Sequence, residues 1–163
     1  MADEIRYTEE EWHRKCAKDL FNFVWTLLEK KDRTQDDDDT MIHAAHASRY
    51  HWMQIGQPVQ FARGEWQVSR VYAVLKRGEA SHYHAQRCLD ICEQHGLGDF
   101  DRGAAYEALA RAAAVSGNML DCRRFASLAR AAGERITDPE DRQILFDDLK
   151  TLPGEMTSGA QGS

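Results

Sequence analysis

A chain of 163 residues, 42% hydrophobic and 29% charged, holds one domain with a continuous core and leaves too little for two. Its formal charge of -6 excludes a non-specific grip on nucleic acid or an anionic membrane, because that grip needs clustered Lys and Arg and none occurs. No apolar run reaches the length of a membrane span, and Met1-Ala2-Asp3-Glu4 lacks the basic and apolar regions of a signal peptide, so a cytoplasmic protein is expected, with Cys16, Cys88, Cys92 and Cys122 as reduced thiols.

Apolar residues recur at three- and four-residue spacing while Val and Ile are sparse, which predicts an all-α fold. Thr8 and Glu11 make a capping box for a first helix near 8–30, with Trp12, Cys16, Leu20, Phe23, Val24, Leu27 and Leu28 on its inner face. The acidic run at 36–39 favours a helix N-terminus, and a second helix follows near 38–55, stopped by Gly56 and Pro58. Third and fourth helices are expected near 58–77 and 79–95, with Gly96-Leu97-Gly98 as the next connection. Asp99 or Asp101 caps a fifth helix near 99–116, and Gly117-Asn118 separates it from a sixth near 118–135. Asp138-Pro139 opens a last helix near 138–151, so residues 1–152 form one domain of about seven helices and 153–163 a disordered tail.

A spaced string repeats along this chain. His46-Ala47-Ser48-Arg49, His84-Ala85-Gln86-Arg87 and Asp121-Cys122-Arg123-Arg124 lie 38 and 37 residues apart, a period that marks stacked helical hairpins. The alignment makes Tyr50, Cys88 and Phe125 core positions, and likewise Met53, Ile91 and Leu128. Arg49, Arg87 and Arg124 then fall on the opposite side, as surface ion pairs. At a 37-residue offset Tyr72-Ala73 matches Leu109-Ala110 and then Phe146-Asp147, where the small position turns polar and suits a capping helix.

Ala73 and Ala110 each follow an apolar residue and are each followed, twelve positions on, by a small one, Ala85 and Cys122. In this, residues 65–135 resemble the tetratricopeptide repeat, although that family's period is 34. The resemblance implies a short solenoid of antiparallel hairpins that binds a protein or peptide segment on the concave face of the first helices. Carried over position by position, that face holds Gln67, Arg70, Val74 and Arg77 from the third helix, with Ala104, Glu107 and Arg111 from the fifth. Arg70, Arg77 and Arg111 would suit an acidic segment, since guanidinium holds carboxylate bidentately.

Catalysis has no motif here: neither Gly-x-Ser-x-Gly nor a phosphate loop occurs, and no cofactor is expected. Glu65, beside Phe61, Val68 and Tyr72, reads as an acid partnered by an Arg or His. The alternative to a scaffold is a metal-binding enzyme or sensor. It would use His43 and His46, or the helical stripe His84, Cys88, Cys92 and His95, although Cys88 and Cys92 occupy core positions of the repeat. A structural homo-oligomer, pairing exposed apolar edges, is the third reading.

Overall fold

A computed structural model describes residues 3–154, and its regular structure is seven α-helices with no strand among them. They are α1 (Glu9–Glu29), α2 (Gln35–Ile55), α3 (Pro58–Val74), α4 (Gly78–His95), α5 (Asp99–Val115), α6 (Met119–Arg135) and α7 (Pro139–Lys150). Connections this short force neighbours to fold back, so α1–α2, α3–α4 and α5–α6 pack as hairpins and α7 closes the stack against α5 and α6. The first hairpin joins the same stack. No helix among the described residues is long and apolar enough to cross a membrane.

Local chemistry sets the helix ends. Both halves of the Thr8/Glu11 capping box form, and Asp138 accepts from the amides of Glu140 and Asp141 at the start of α7. Helix α2 begins at Gln35, three residues earlier than the acidic run suggested, because Thr34 and Asp37 make a capping box of their own. The run is therefore the first turn, and it is used: Asp37 binds Lys30 at 2.6 Å, while Asp38 binds Arg33, whose guanidinium also satisfies carbonyls at the end of α1. Helix α3 stops at Val74 in a left-handed turn, short of 77, and Gly98 rather than an aspartate caps α5. Pro153 and Gly154 are the only described part of the expected disordered tail; 155–163 lie outside the described residues.

Which side is concave follows from which helices touch. The odd helices approach one another directly (α1 with α3, α3 with α5, α5 with α7), whereas the backbones of the even helices α2, α4 and α6 stay apart. A stack whose members meet on one side and splay on the other curves toward the meeting side. Three core clusters fill the junctions, around Val24, Met41 and Val68, then Cys88, Cys92 and Leu109, then Ala126, Leu145 and Leu152. Tyr50, Met53 and Leu128, expected in the core, stay exposed because they point into the open wedges between even helices. Trp12 and Phe23 are exposed for a different reason: α1 ends the stack and has no hairpin before it.

Hairpins close where side chains are small. Ser69 Oγ donates to the Ser81 carbonyl at 2.8 Å and Ser81 Oγ returns the bond to Ser69 at 3.0 Å; in the first hairpin Ser48 Oγ donates to Ala17. These hydroxyls lie buried at the helix crossings, satisfied by backbone that the close approach brings within reach.

The turns set the second and third hairpins in a different register from the spaced string. Arg77 N donates to Tyr72 O with Lys76 at φ 61°, and Asn118 N donates to Ala113 O with Gly117 at φ 79°. These two turns are 41 residues apart, so Ser81 corresponds to Cys122 and Ala85 to Ala126; the 37-residue alignment is one helical turn out. A left-handed conformation costs an L-residue roughly 1–2 kcal/mol, which glycine avoids. In chemical denaturation Lys76→Gly should therefore stabilise the protein by about 0.5–1 kcal/mol, and Gly117→Ala should lower its stability by about 1 kcal/mol. Equal responses at the two sites would contradict the register.

Candidate functional site

A cavity of about 200 Å³ opens on the concave face, where α1, α3, α5 and α7 converge. Phe21 and Trp25 come from α1, Trp66 from α3, Phe100 from α5, and Ile144 with Leu145 from α7. The Trp25 and Trp66 rings meet at 5.6 Å between centroids, tilted by 40°. Three charged groups share the lining. Arg63 pairs with both oxygens of Asp101, at 2.8 and 3.3 Å, and Asp148 stands opposite on α7. The hollow continues past Phe21 and Arg63 to Lys18, Asn22 and Gln60, lengthening it into a groove.

Below the cavity runs a buried ionic clasp. Glu107, with no exposed side-chain surface, lies between Arg70 Nη2 at 3.3 Å and Arg111 Nε at 2.8 Å. Arg70 also reaches Asp148 Oδ2 at 3.3 Å, while Arg111 Nη2 donates to Asp148 O and Thr151 Oγ1. The clasp thus ties α3, α5 and α7 together. Burial, with the Glu107 charge adding, holds the Asp148 carboxyl above its ordinary value against the pull of Arg70 and Arg111.

The seven positions carried over from the tetratricopeptide likeness therefore divide. Ala104 lines the cavity, while Arg70, Glu107 and Arg111 have each other as partners. Gln67 is buried and its Nε2 donates to Phe21 O at 2.9 Å, tethering α3 to α1. Val74 lines a separate hollow near Thr151, and Arg77 is exposed at the α3–α4 turn beside Tyr72 and Tyr83. Sequence reasoning missed the aromatic walls. Their one visible signal is large rings on first helices, Trp25, Trp66 and Phe100, where the even helices place Ala and Cys against the core.

The histidines form a second constellation, between α2, α3 and α4. Glu65 accepts from Arg49 at 3.1 Å and His84 Nδ1 at 2.7 Å, fulfilling the expectation of a partnered acid. His46 Nε2 lies 2.9 Å from the Tyr72 hydroxyl, and the His46 and His84 rings are 5.3 Å apart, so the two repeated histidines touch. His43 and His95 are exposed elsewhere, and Cys88 and Cys92 are core residues in which a mutual hydrogen bond and burial drive the Cys88 thiol well up. Among the described residues no three His, Cys, Asp or Glu side chains are grouped to hold a metal ion. Comparison with protein-family models, curated proteins and solved structures finds no match to the chain.

Removing one partner from a buried pair strands the other charge, at a cost of about 3–5 kcal/mol. Glu107→Ala should lose stability of that order by denaturant titration, while Arg87→Ala, which breaks an exposed pair with Asp90, should scarcely move the midpoint.

The histidines set an acid response. Burial and the neighbouring His84 hold His46 below the ordinary imidazole value, and burial with His13 does the same for His51. A base whose folded value is depressed binds its proton more readily in the unfolded chain, so stability is lost as pH falls through about 6.5. Glu65 follows lower down: although burial opposes ionisation, His84 and Arg49 hold it below its usual value, and its contribution fades as pH drops through the ordinary carboxylate range. Melting temperature should fall between pH 7 and 5, and His46→Gln should flatten this limb while leaving the steeper loss below about pH 4.5.

Proposed function

We propose that this protein is a non-catalytic helical-hairpin scaffold that docks an extended segment of a partner protein along its concave groove. The carrying observation is the cavity itself: it sits where four odd helices meet, it is walled by aromatic rings, and a polar hollow extends it beyond Arg63. Aromatic anchoring walls with a polar margin are the usual composition of a protein-recognition site. The lining falls on rigid helices, which lowers the ordering cost of binding. Cysteines held as thiols, Cys16, Cys88 and Cys92 among them, suit the reducing cytoplasm as the compartment of this interaction.

Charge now locates the contact differently from the likeness. Arg70 and Arg111 have buried partners, so they support the groove from beneath, and the charges offered to a docked chain are those of Arg63, Lys18, Asp101 and Asp148.

Selection from a displayed random-peptide library tests this reading. Enriched peptides should bind the full chain with micromolar affinity and lose at least tenfold to Ala104→Phe, which fills the cavity, while Arg124→Glu on α6 changes nothing. Peptides that bind both variants alike, or no enrichment at all, would overturn it.

A further inference from the structure

We propose that the concave cavity seats a cationic alkylammonium side chain, a lysine or its methylated form, carried by the docked segment. The inference rests on the groove reading and adds the chemistry of its anchor.

Size comes first. A space of about 200 Å³ lies below the roughly 300–1,000 Å³ of pockets that enclose whole small ligands, and it suits one long side chain.

The walls then choose among side chains. Phe21, Trp25, Trp66 and Phe100 present π-systems whose faces are electron-rich, and such faces attract ammonium groups most strongly where water is displaced. Two of these rings already carry guanidinium groups: Arg70 Cζ lies 5.2 Å from the Trp66 centroid and Arg63 Cζ 5.6 Å from that of Phe100. The aliphatic stem of a lysine would lie along Ile144 and Leu145, as long cationic side chains commonly do on apolar surface.

Fixed charge narrows the choice further. Two carboxylates line the cavity against one guanidinium, and that guanidinium is held twice by Asp101. Asp148 is the less compensated acid. Its side-chain ion pair is a single 3.3 Å approach from Arg70, a group already shared with Glu107, and burial holds its carboxyl above the ordinary value despite Arg70 and Arg111. An ammonium group beside Asp148 relieves that desolvation; an acidic anchor would meet two like charges, and a purely apolar one would bury Asp148 further.

Three small probes decide the matter: N-acetyl-lysine methylamide, its trimethylammonium form, and the norleucine counterpart without charge. Each is titrated into the full chain while the indole resonances of Trp25 and Trp66 are followed. Both ammonium probes should bind about tenfold more tightly than norleucine. The trimethyl form ranks first if the rings supply most of the affinity, and the simple amine if Asp148 does. Asp148→Asn should erase the preference for charge and leave norleucine unchanged. Because Asp148 also holds Arg70, Phe100→Leu serves as a second variant; it should weaken the trimethyl probe several-fold at unchanged melting temperature. Norleucine binding as tightly as the ammonium probes, or tighter binding by an N-acetyl-glutamate methylamide control, overturns the proposal. The two readings fail separately. Library peptides that dock here through apolar or acidic anchors leave the groove and remove the cation, whereas ammonium probes that bind when no peptide does leave the cation and remove the groove.

Discussion

Glu107 holds α3, α5 and α7 to one another. Its carboxylate has no exposed surface and lies between Arg70 from α3 and Arg111 from its own helix, which in turn reach Asp148 and Thr151 at the end of α7. A buried charge is tolerated only with several good partners, so its presence fixes the spacing of α3, α5 and α7 at once. That spacing determines the width of the cavity above it. Trp66 lies one turn before Arg70 and Ala104 one turn before Glu107, so Arg70 and Glu107 both sit just under residues of the cavity lining, and Asp148 is shared by clasp and cavity. The side chains that resembled ligand anchors are instead the beam on which the groove rests.

Helices were legible in this sequence because their determinants are local. Capping boxes, Pro at N1, and three- and four-residue periodicity need only neighbouring residues, and six of the seven helix starts fall within two residues of expectation. Register was harder. A slip of four residues turns a helix by only about 40°, so a string aligned one turn out still places small residues over small residues and apolar over apolar. Ala85 matched to Cys122 therefore looks sound, although the turns at Lys76 and Gly117 put Ala126 in that place. Only the turn geometry distinguishes the two, and Lys76 gives no glycine signal to reveal it.

The site was less legible than the fold because its chemistry is distributed over distant segments. Arg70 finds Glu107 in the next hairpin and Asp148 in the closing helix, and His46 meets Tyr72 and His84 across a helix junction. Nothing in the spacing of one helix announces such partners, so an arginine on a concave face reads as free until the opposing acid is located. Glu65 was different, since an acid beside Phe61, Val68 and Tyr72 needs a partner wherever that partner lies, and Arg49 and His84 supply it.

Curvature explains why the chemistry divides by side. Even helices splay, so the wedges between them admit water, and the groups that collect there are amphipathic: Tyr50, Met53, Tyr83 and the His46–His84 contact. Odd helices converge, so charges on that side lose their hydration and must pair, as Glu107 does with Arg70 and Arg111 and as Asp148 does with Arg70. On the convex side the histidines lie where solvent delivers protons, while on the concave side Asp148, paired with Arg70, stands among aromatic rings from which water is largely withdrawn.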